Sequence, residues 1–141
     1  MTDAISSHGT LLKKGDGGDP EAFATVAEVL DISGPEETTE TEDATNHGSN
    51  GWEEVITTIQ VAGEVSFDVN YVPGDATHDA STGLIADKRN KTLRNWKIVM
   101  PDAGNTTENF AAYVTKVGRT RNVRGKLTGS FTLKITGPIT A

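Results

Sequence analysis

Strict alternation of apolar and polar residues marks two segments of this chain. In residues 64–72 the apolar positions are Val65, Phe67, Val69 and Tyr71. In residues 127–135 they are Leu127, Gly129, Phe131, Leu133 and Ile135. Successive side chains of a β-strand point to opposite faces, so this period of two is typical of a half-buried antiparallel strand. Both segments are predicted to place one face on a hydrophobic core.

Shorter apolar runs predict further strands. Residues 23–32 suit one or two short strands that stop at Gly34-Pro35, because proline cannot donate to a strand ladder. Residues 96–100 and 110–117 suit two more. Residues 52–59 remain ambiguous: the spacing of their apolar positions fits one or two helical turns, whereas the Val-Ile-Thr-Thr-Ile composition fits a strand.

A single helix is predicted from Asp79 to about Lys88. Asp79 is a plausible N-cap, and Leu84 and Ile85 would form the apolar contact. Several short strands, frequent turns and one helix are typical of an all-β fold. We therefore expect a β-sandwich or barrel of two antiparallel sheets, flanked by one short α-helix.

Two segments carry too few apolar residues to fold onto this core. Residues 1–20 are predicted to form an extended N-terminal arm, whose glycine- and aspartate-rich end at 15–20 would be stable neither as a helix nor as a strand. Residues 36–51 are a long polar segment, first threonine-rich and suited to a strand with little core contact, then a loop. Such segments need a partner to become ordered. The single sandwich domain is assigned to residues 21–141.

Charge is distributed unevenly along the chain. The net charge is −7, but residues 1–80 hold 17 acidic and 2 basic residues, whereas residues 81–141 hold 3 acidic and 11 basic residues. The two halves could neutralise each other within one chain, bind the opposite halves of other copies, or present a basic face to nucleic acid. We favour association between copies.

No catalytic or metal-binding constellation is recognisable. The chain has no cysteine, and its three histidines, His8, His47 and His78, lie in glycine- or aspartate-rich segments where exposed loop positions are expected. None has a second ligand at helical or strand spacing. We therefore expect neither an enzyme, nor a metal site, nor a cofactor.

A succession of short motifs along nearly the whole chain resembles a known family. The motifs are the Gly-Asp-Gly arm before Phe23-Ala24-Thr25-Val26, then Ile32-Ser33-Gly34-Pro35, then the polar segment leading to residues 50–54, then residues 62–71, and finally residues 125–131. Their order and spacing resemble those of the major tail tube proteins of lambda-like siphophages.

The resemblance implies a structural protein of a long non-contractile bacteriophage tail. Such subunits form hexameric rings that stack head to tail around a channel for genome ejection. Implied partners are other copies, the tape-measure protein, the tail terminator and tip proteins, and double-stranded DNA in transient, non-specific passage, with no membrane. The implied location is the virion tail, with the host cytoplasm during assembly. Tubes of contractile tails and of type VI-like secretion systems share the fold and remain an alternative, as does a monomeric β-sandwich binding module.

Two groups of charged residues are the candidate site. The acidic segment could line the lumen, where carboxylates would repel DNA, or could form the loop that stacks one ring on the next. The basic group is expected to form salt bridges between subunits, because no aromatic residue is interleaved with it to stack bases. The acidic residues are Glu36, Glu37, Glu40, Glu42 and Asp43, and the basic residues are Lys88, Arg89, Arg119, Arg121 and Arg124.

Overall fold

Strands dominate the structure. The computed structural model describes residues 2–141, and within them nine strands and one short α-helix form. The strands are β1 (Leu11–Gly15), β2 (Phe23–Thr25), β3 (Val29–Ser33), β4 (Thr38–Asp43), β5 (Val55–Val61), β6 (Glu64–Asn70), β7 (Leu93–Val99), β8 (Thr107–Arg121) and β9 (Leu127–Thr140); the helix is α1 (Leu84–Asn90). No helix in the described residues is long and apolar enough to cross a bilayer.

Seven strands form one antiparallel sheet in the order β2-β1-β7-β8-β9-β6-β3, and β4 and β5 form a second sheet. The long strands β8 and β9 link the two ends of the large sheet. Register shifts between Asn109 and Ala111, and between Val114 and Lys116, interrupt their pairing, and such bulges bend a sheet. The end strands β2 and β3 pair with no further strand, so the barrel alternative is wrong and the sandwich is open.

The side chains that the alternating pattern predicts to face inward form part of the core. Val65, Phe67 and Val69 of β6 are buried, and so are Phe131 and Leu133 of β9. These two strands pair directly, and the rings of Phe67 and Phe131 stack with centroids 5.5 Å apart. Both segments are therefore confirmed as half-buried strands, and residues 23–32 are confirmed as two short strands, β2 and β3.

The helix is shorter than predicted, because it begins at Leu84 with Gly83 as N-cap. The expectation that Asp79 is the N-cap is wrong. The Asp79 carboxylate instead accepts hydrogen bonds from the backbone N–H groups of residues 81–83, which closes a turn just before the helix. An aspartate that bonds its own neighbouring backbone competes with helix formation. Leu84 and Ile85 are buried, as expected.

Part of the expected arm belongs to the large sheet. Strand β1 lies between β2 and β7, and Leu12 is buried in the core. The expectation that residues 1–20 stay outside the sheet is therefore wrong for residues 11–15. Pairing with β7 satisfies the backbone of β1 on one side, and pairing with β2 satisfies it on the other.

His78 is buried, so the expectation that all three histidines are exposed is wrong for this one. Its Nε2 lies 2.7 Å from the Ala27 carbonyl oxygen, and the Val72 N–H donates to Nδ1 over 3.2 Å. Because Nδ1 accepts, Nε2 carries the proton and donates. His78 thus ties the crossover between β2 and β3 to the end of β6.

Replacing His78 with leucine is expected to lower the free energy of unfolding by about 2 kcal/mol, because two part-buried backbone groups lose their partner. Urea unfolding of the variant and of the wild type measures the difference. His47→Leu, on an exposed loop, is the control and should change stability by less than about 0.5 kcal/mol. Equal stability of His78→Leu and wild type would contradict the role assigned to this side chain.

Candidate functional site

The acidic segment lies in a hairpin that projects from the sandwich. We call residues 36–61 the acidic hairpin; it contains β4 and β5. The hairpin continues the β3–β6 pair outward, because pairing stops at Ser33 and Ser66 and resumes at Thr38 and Val61. Every residue of β4 is exposed, and so is every residue of β5 except Val61. The predicted strand with little core contact is confirmed, and residues 55–61 are a strand rather than a helix.

Two glycines form the joint between the sandwich and the acidic hairpin. Gly34 has φ +99° and Gly63 has φ +83°. A Cβ at Gly34 would collide with the Glu64 carbonyl oxygen, and a Cβ at Gly63 would collide with the Glu36 carbonyl oxygen. Only glycine combines this left-handed backbone with so close an approach of two chains. The direction of the hairpin is therefore fixed by backbone packing.

Apolar side chains are exposed on the acidic hairpin beside its carboxylates. Trp52 is 74% exposed, and Val55, Ile56 and Ile59 are each more than half exposed. Ile56 lies opposite Glu42 in the ladder, and Val55 lies opposite Asp43. Directly opposite residues share a face of the sheet, so each face carries an acidic and an apolar side chain together.

The loop at the end of the acidic hairpin is ordered by its own hydrogen bonds. Asn46 caps a 3₁₀ turn at His47–Ser49 by accepting from the Gly48 N–H over 2.8 Å. The Ser49 hydroxyl donates to the Glu54 carboxylate over 2.7 Å and accepts from the Asn46 N–H. This loop has defined local structure although few of its residues are buried.

Three of the predicted basic residues lie together at the turn between β8 and β9. We call residues 116–126 the basic tip; it carries Lys116, Arg119, Arg121, Arg124 and Lys126, all exposed. The last acidic side chain before it is Glu108, and none follows. Val123 is fully exposed at the turn. The basic tip thus combines positive charge with one apolar side chain.

The other two predicted basic residues occupy a separate place in the fold. Lys88 and Arg89 lie in the last turn of α1, where a cation interacts favourably with the helix dipole, and both are exposed. They belong to a different element from the basic tip, although α1 packs against β8, the strand that leads into the tip. The structure therefore presents the predicted patch as two groups.

The acidic hairpin and the basic tip form no salt bridge in the described part of the chain. Among residues 2–141 the salt bridges are those of Asp87 with Lys14, at 3.0 Å, and with Arg94, at 3.1 Å. Neither charged hairpin contributes to them. Within residues 2–141, no salt bridge therefore joins an acidic residue of the first half of the chain to a basic residue of the second half.

Comparison with known proteins identifies the family. The family model of the lambda phage tail tube protein, TTP, matches residues 11–140. The chain belongs to this family. It is therefore a structural tail tube protein and not an enzyme. A search of curated proteins found no match.

Solved structures share the fold of this tail tube protein. A chain of the native gene transfer agent virion is 17% identical with a TM-score of 0.71, covering 97% of this chain and 98% of that one. A chain of the PVC sheath–tube complex, from an extracellular contractile injection system, is 13% identical with a TM-score of 0.70, covering 100% and 94%. A chain of the SPP1 tail tube is 11% identical with a TM-score of 0.69, covering 95% and 77%. At these identities the likeness shows the fold.

Sequence reasoning missed a buried ionic cluster in the tail tube protein. Asp87 of α1 is 2% exposed and Lys14 of β1 is 8% exposed. The Lys14 ammonium also donates to the Thr82 carbonyl oxygen over 2.9 Å, and Arg94 also donates to the Asp16 carbonyl oxygen. The cluster fastens α1 to the large sheet. The available signal was Lys14 itself, which falls on the same face of β1 as Leu12.

Acid is expected to destabilise the tail tube protein through its loop aspartates. Hydrogen bonds from the Thr82 N–H hold the pKa of Asp79 below its ordinary value of 3.8, and those from Thr77 and Thr106 do the same for Asp75 and Asp102. A carboxylate whose pKa is lower in the folded state stabilises the fold above pH 3.8, and that contribution is lost as the pH falls through the folded value.

The free energy of unfolding should therefore decline as the pH is lowered from about 5 to about 2.5. Urea unfolding at a series of pH values measures it, and Asp79→Asn should flatten the slope below about pH 4. A slope that is identical in this variant would contradict the role of the Asp79 carboxylate.

Proposed function

We propose that this tail tube protein assembles into hexameric rings that stack head to tail into the hollow tube of a long non-contractile tail, through which double-stranded DNA passes at ejection. One observation carries the proposal: a member of the tail tube family exposes an acidic hairpin and a basic tip that have no ionic partner among residues 2–141. Such surfaces are complementary between copies.

A repeating assembly of identical subunits uses unlike patches, one on each of two neighbouring copies. The acidic hairpin and the basic tip, together with Lys88 and Arg89, supply two unlike patches. The outer edges of β2 and β3 add unpaired backbone groups that a neighbouring strand can use. Both features favour polymerisation over a closed pair of subunits.

The acidic residues have two possible places in such a tube. On the lumen wall, Glu36, Glu37, Glu40, Glu42 and Asp43 would repel the DNA phosphates and let the genome slide. At a contact between rings, they would meet basic side chains. A hairpin that stands clear of the sandwich and exposes apolar side chains on both faces favours the contact between copies.

The proposed partners follow from the position of such a tube in a virion. The tube would enclose the tape-measure protein during assembly in the host cytoplasm and end at the tail terminator and the tip proteins. The fold is shared with a contractile injection system, so a tube inside a contractile sheath is the second candidate. The family match to a lambda tail tube protein favours the non-contractile tail.

Electron microscopy of the purified protein tests the proposal. Rings with six-fold symmetry, or hollow tubes, are expected in negative stain, together with species much heavier than 15.0 kDa in sedimentation. Antibodies against this protein should label intact virions at the tail, and the labelled tail should show no sheath. A protein that remains monomeric at high concentration would contradict the proposal and favour a monomeric binding module.

A further inference from the structure

The acidic hairpin needs a covering partner. An isolated two-stranded sheet is marginally stable in water, and β4 and β5 pair only with each other. Four large apolar side chains of this hairpin, those of Trp52, Val55, Ile56 and Ile59, are exposed to solvent in the single chain. Large apolar side chains that are exposed beside charged ones mark an interaction surface.

Charge defines the chemistry of the partner. Between residues 36 and 61 the chain has seven acidic side chains and no lysine or arginine. A partner that covers this hairpin must therefore bring positive charge, since like charges at an interface are strongly unfavourable. It must also bring apolar surface.

The basic tip has both properties. Residues 116–126 carry five basic side chains and no acidic one, and Val123 stands fully exposed between Arg121 and Arg124. Arginine offers a planar fork for carboxylates, an aliphatic stem for apolar contact and a cation that stacks on indole. None of the five basic side chains of the tip forms a salt bridge within residues 2–141, so all of them can bind carboxylates of another copy.

We propose that the acidic hairpin of one copy docks on the basic tip of a second copy. This contact rests on the self-assembly proposed above and specifies which surfaces meet in it. The carboxylates of Glu40 and Glu42 pair with the guanidinium groups of Arg121 and Arg124. Val123 packs against Ile56, which lies directly opposite Glu42 and therefore shares a face of the hairpin with it.

Each copy presents both halves of this contact. Its acidic hairpin engages the tip of one neighbour while its basic tip receives the hairpin of another. The interface joins unlike patches, so it propagates from copy to copy. The Gly34 and Gly63 joint is a positioning element for this contact, because it fixes the direction in which the hairpin leaves the sandwich.

Paired charge reversals test the contact. One variant reverses the hairpin (Glu40→Lys with Glu42→Lys), and another reverses the tip (Arg121→Glu with Arg124→Glu). In each variant alone the four contact positions carry like charges, although the other acidic residues of the hairpin and the other basic residues of the tip are unchanged. The critical concentration for assembly should therefore rise more than about tenfold. An equimolar mixture of the two should assemble into tubes again, because each surface then meets its complement. The quadruple variant should also assemble by itself.

Asp3→Lys is the matched control, since it reverses an exposed acidic residue outside both hairpins and should assemble as wild type does. Circular dichroism establishes that every variant is folded. Assembly of the hairpin variant at the wild-type concentration, as a lumen position would predict, overturns the contact. Failure of both the mixture and the quadruple variant also overturns it. Failure of the wild type to assemble would instead refute the proposed function.

Discussion

Replacing Gly63 with alanine should lower the free energy of unfolding by about 3 kcal/mol and abolish tube formation. Gly63 has φ +83°, a conformation that costs an L-residue about 1–2 kcal/mol. The added Cβ would also collide with the Glu36 carbonyl oxygen, a backbone atom that moves only if the acidic hairpin swings away. Urea unfolding measures the first effect, and electron microscopy measures the second.

Gly51→Ala is a matched control for this prediction. Gly51 lies in the same hairpin with φ +81°, but no atom lies near the position of its missing Cβ. Its replacement should cost only the backbone term, about 1 kcal/mol, and should leave the direction of the hairpin unchanged. If the two variants lost the same free energy of unfolding, the close approach of Gly63 to the Glu36 carbonyl oxygen would contribute nothing to the effect of Gly63→Ala.

Replacing Asp87 with asparagine should lower the free energy of unfolding by about 4 kcal/mol, because it leaves the buried ammonium of Lys14 without an opposite charge. The asparagine keeps one acceptor oxygen for two donors, so either Lys14 or Arg94 would face its NH2 group instead of an acceptor. Arg94 is more exposed than Lys14 and keeps its hydrogen bond to the Asp16 carbonyl oxygen. The loss of its ion pair with Asp87 should therefore cost less free energy than the loss of the Lys14 pair. Thermal and urea unfolding of the variant would quantify the change.

A rescue experiment separates lost charge pairing from lost packing. Lys14→Met combined with Asp87→Leu replaces the buried pair with apolar side chains of similar volume. Such replacements are frequently neutral or stabilising, so this double variant should be within about 1 kcal/mol of wild type. If Asp87→Asn alone costs less than about 1 kcal/mol, the cluster does not fasten the helix as we infer.

The strands of the core could be predicted because their signal is local. In β6 and β9 the alternation itself decides which side chains face inward, and no knowledge of distant residues is needed. The stop at Gly34-Pro35 is equally local, since β3 ends at Ser33. The sandwich follows from such segments, whereas the order of strands in the sheet does not.

Features that depend on distant partners escaped prediction. Lys14 meets Asp87 across 73 residues of sequence, and His78 meets Ala27 across 51. For Lys14 the only nearby signal is that it shares a face of β1 with Leu12, and nothing near His78 in the sequence shows that it will be buried. The start of α1 was misplaced for the opposite reason, because Asp79 suited two local structures and its turn was the more stable one.

The candidate site was only partly visible in the sequence. The runs of carboxylates and arginines gave the sign of each surface, and both are confirmed as exposed. The sequence left residues 52–59 ambiguous between helical turns and a strand, and they form a strand whose Ile56 and Ile59 are exposed because β5 pairs only with β4. A periodic pattern of apolar residues indicates a face that is buried against something. It does not show whether that face is buried by the same chain or by another copy.

The continuity of the acidic hairpin with the sandwich has a mechanical consequence. Any tension that a neighbouring subunit exerts on the hairpin enters the body along the axis of β6. That strand is bonded to β9 over its whole length, from the Glu64–Lys134 pair to the Asn70–Thr128 pair. A pull along the strand loads all of these hydrogen bonds together in shear instead of opening them one after another. A bending or stretched filament of such subunits would thus transmit force through a ladder that resists it along the full length of β6.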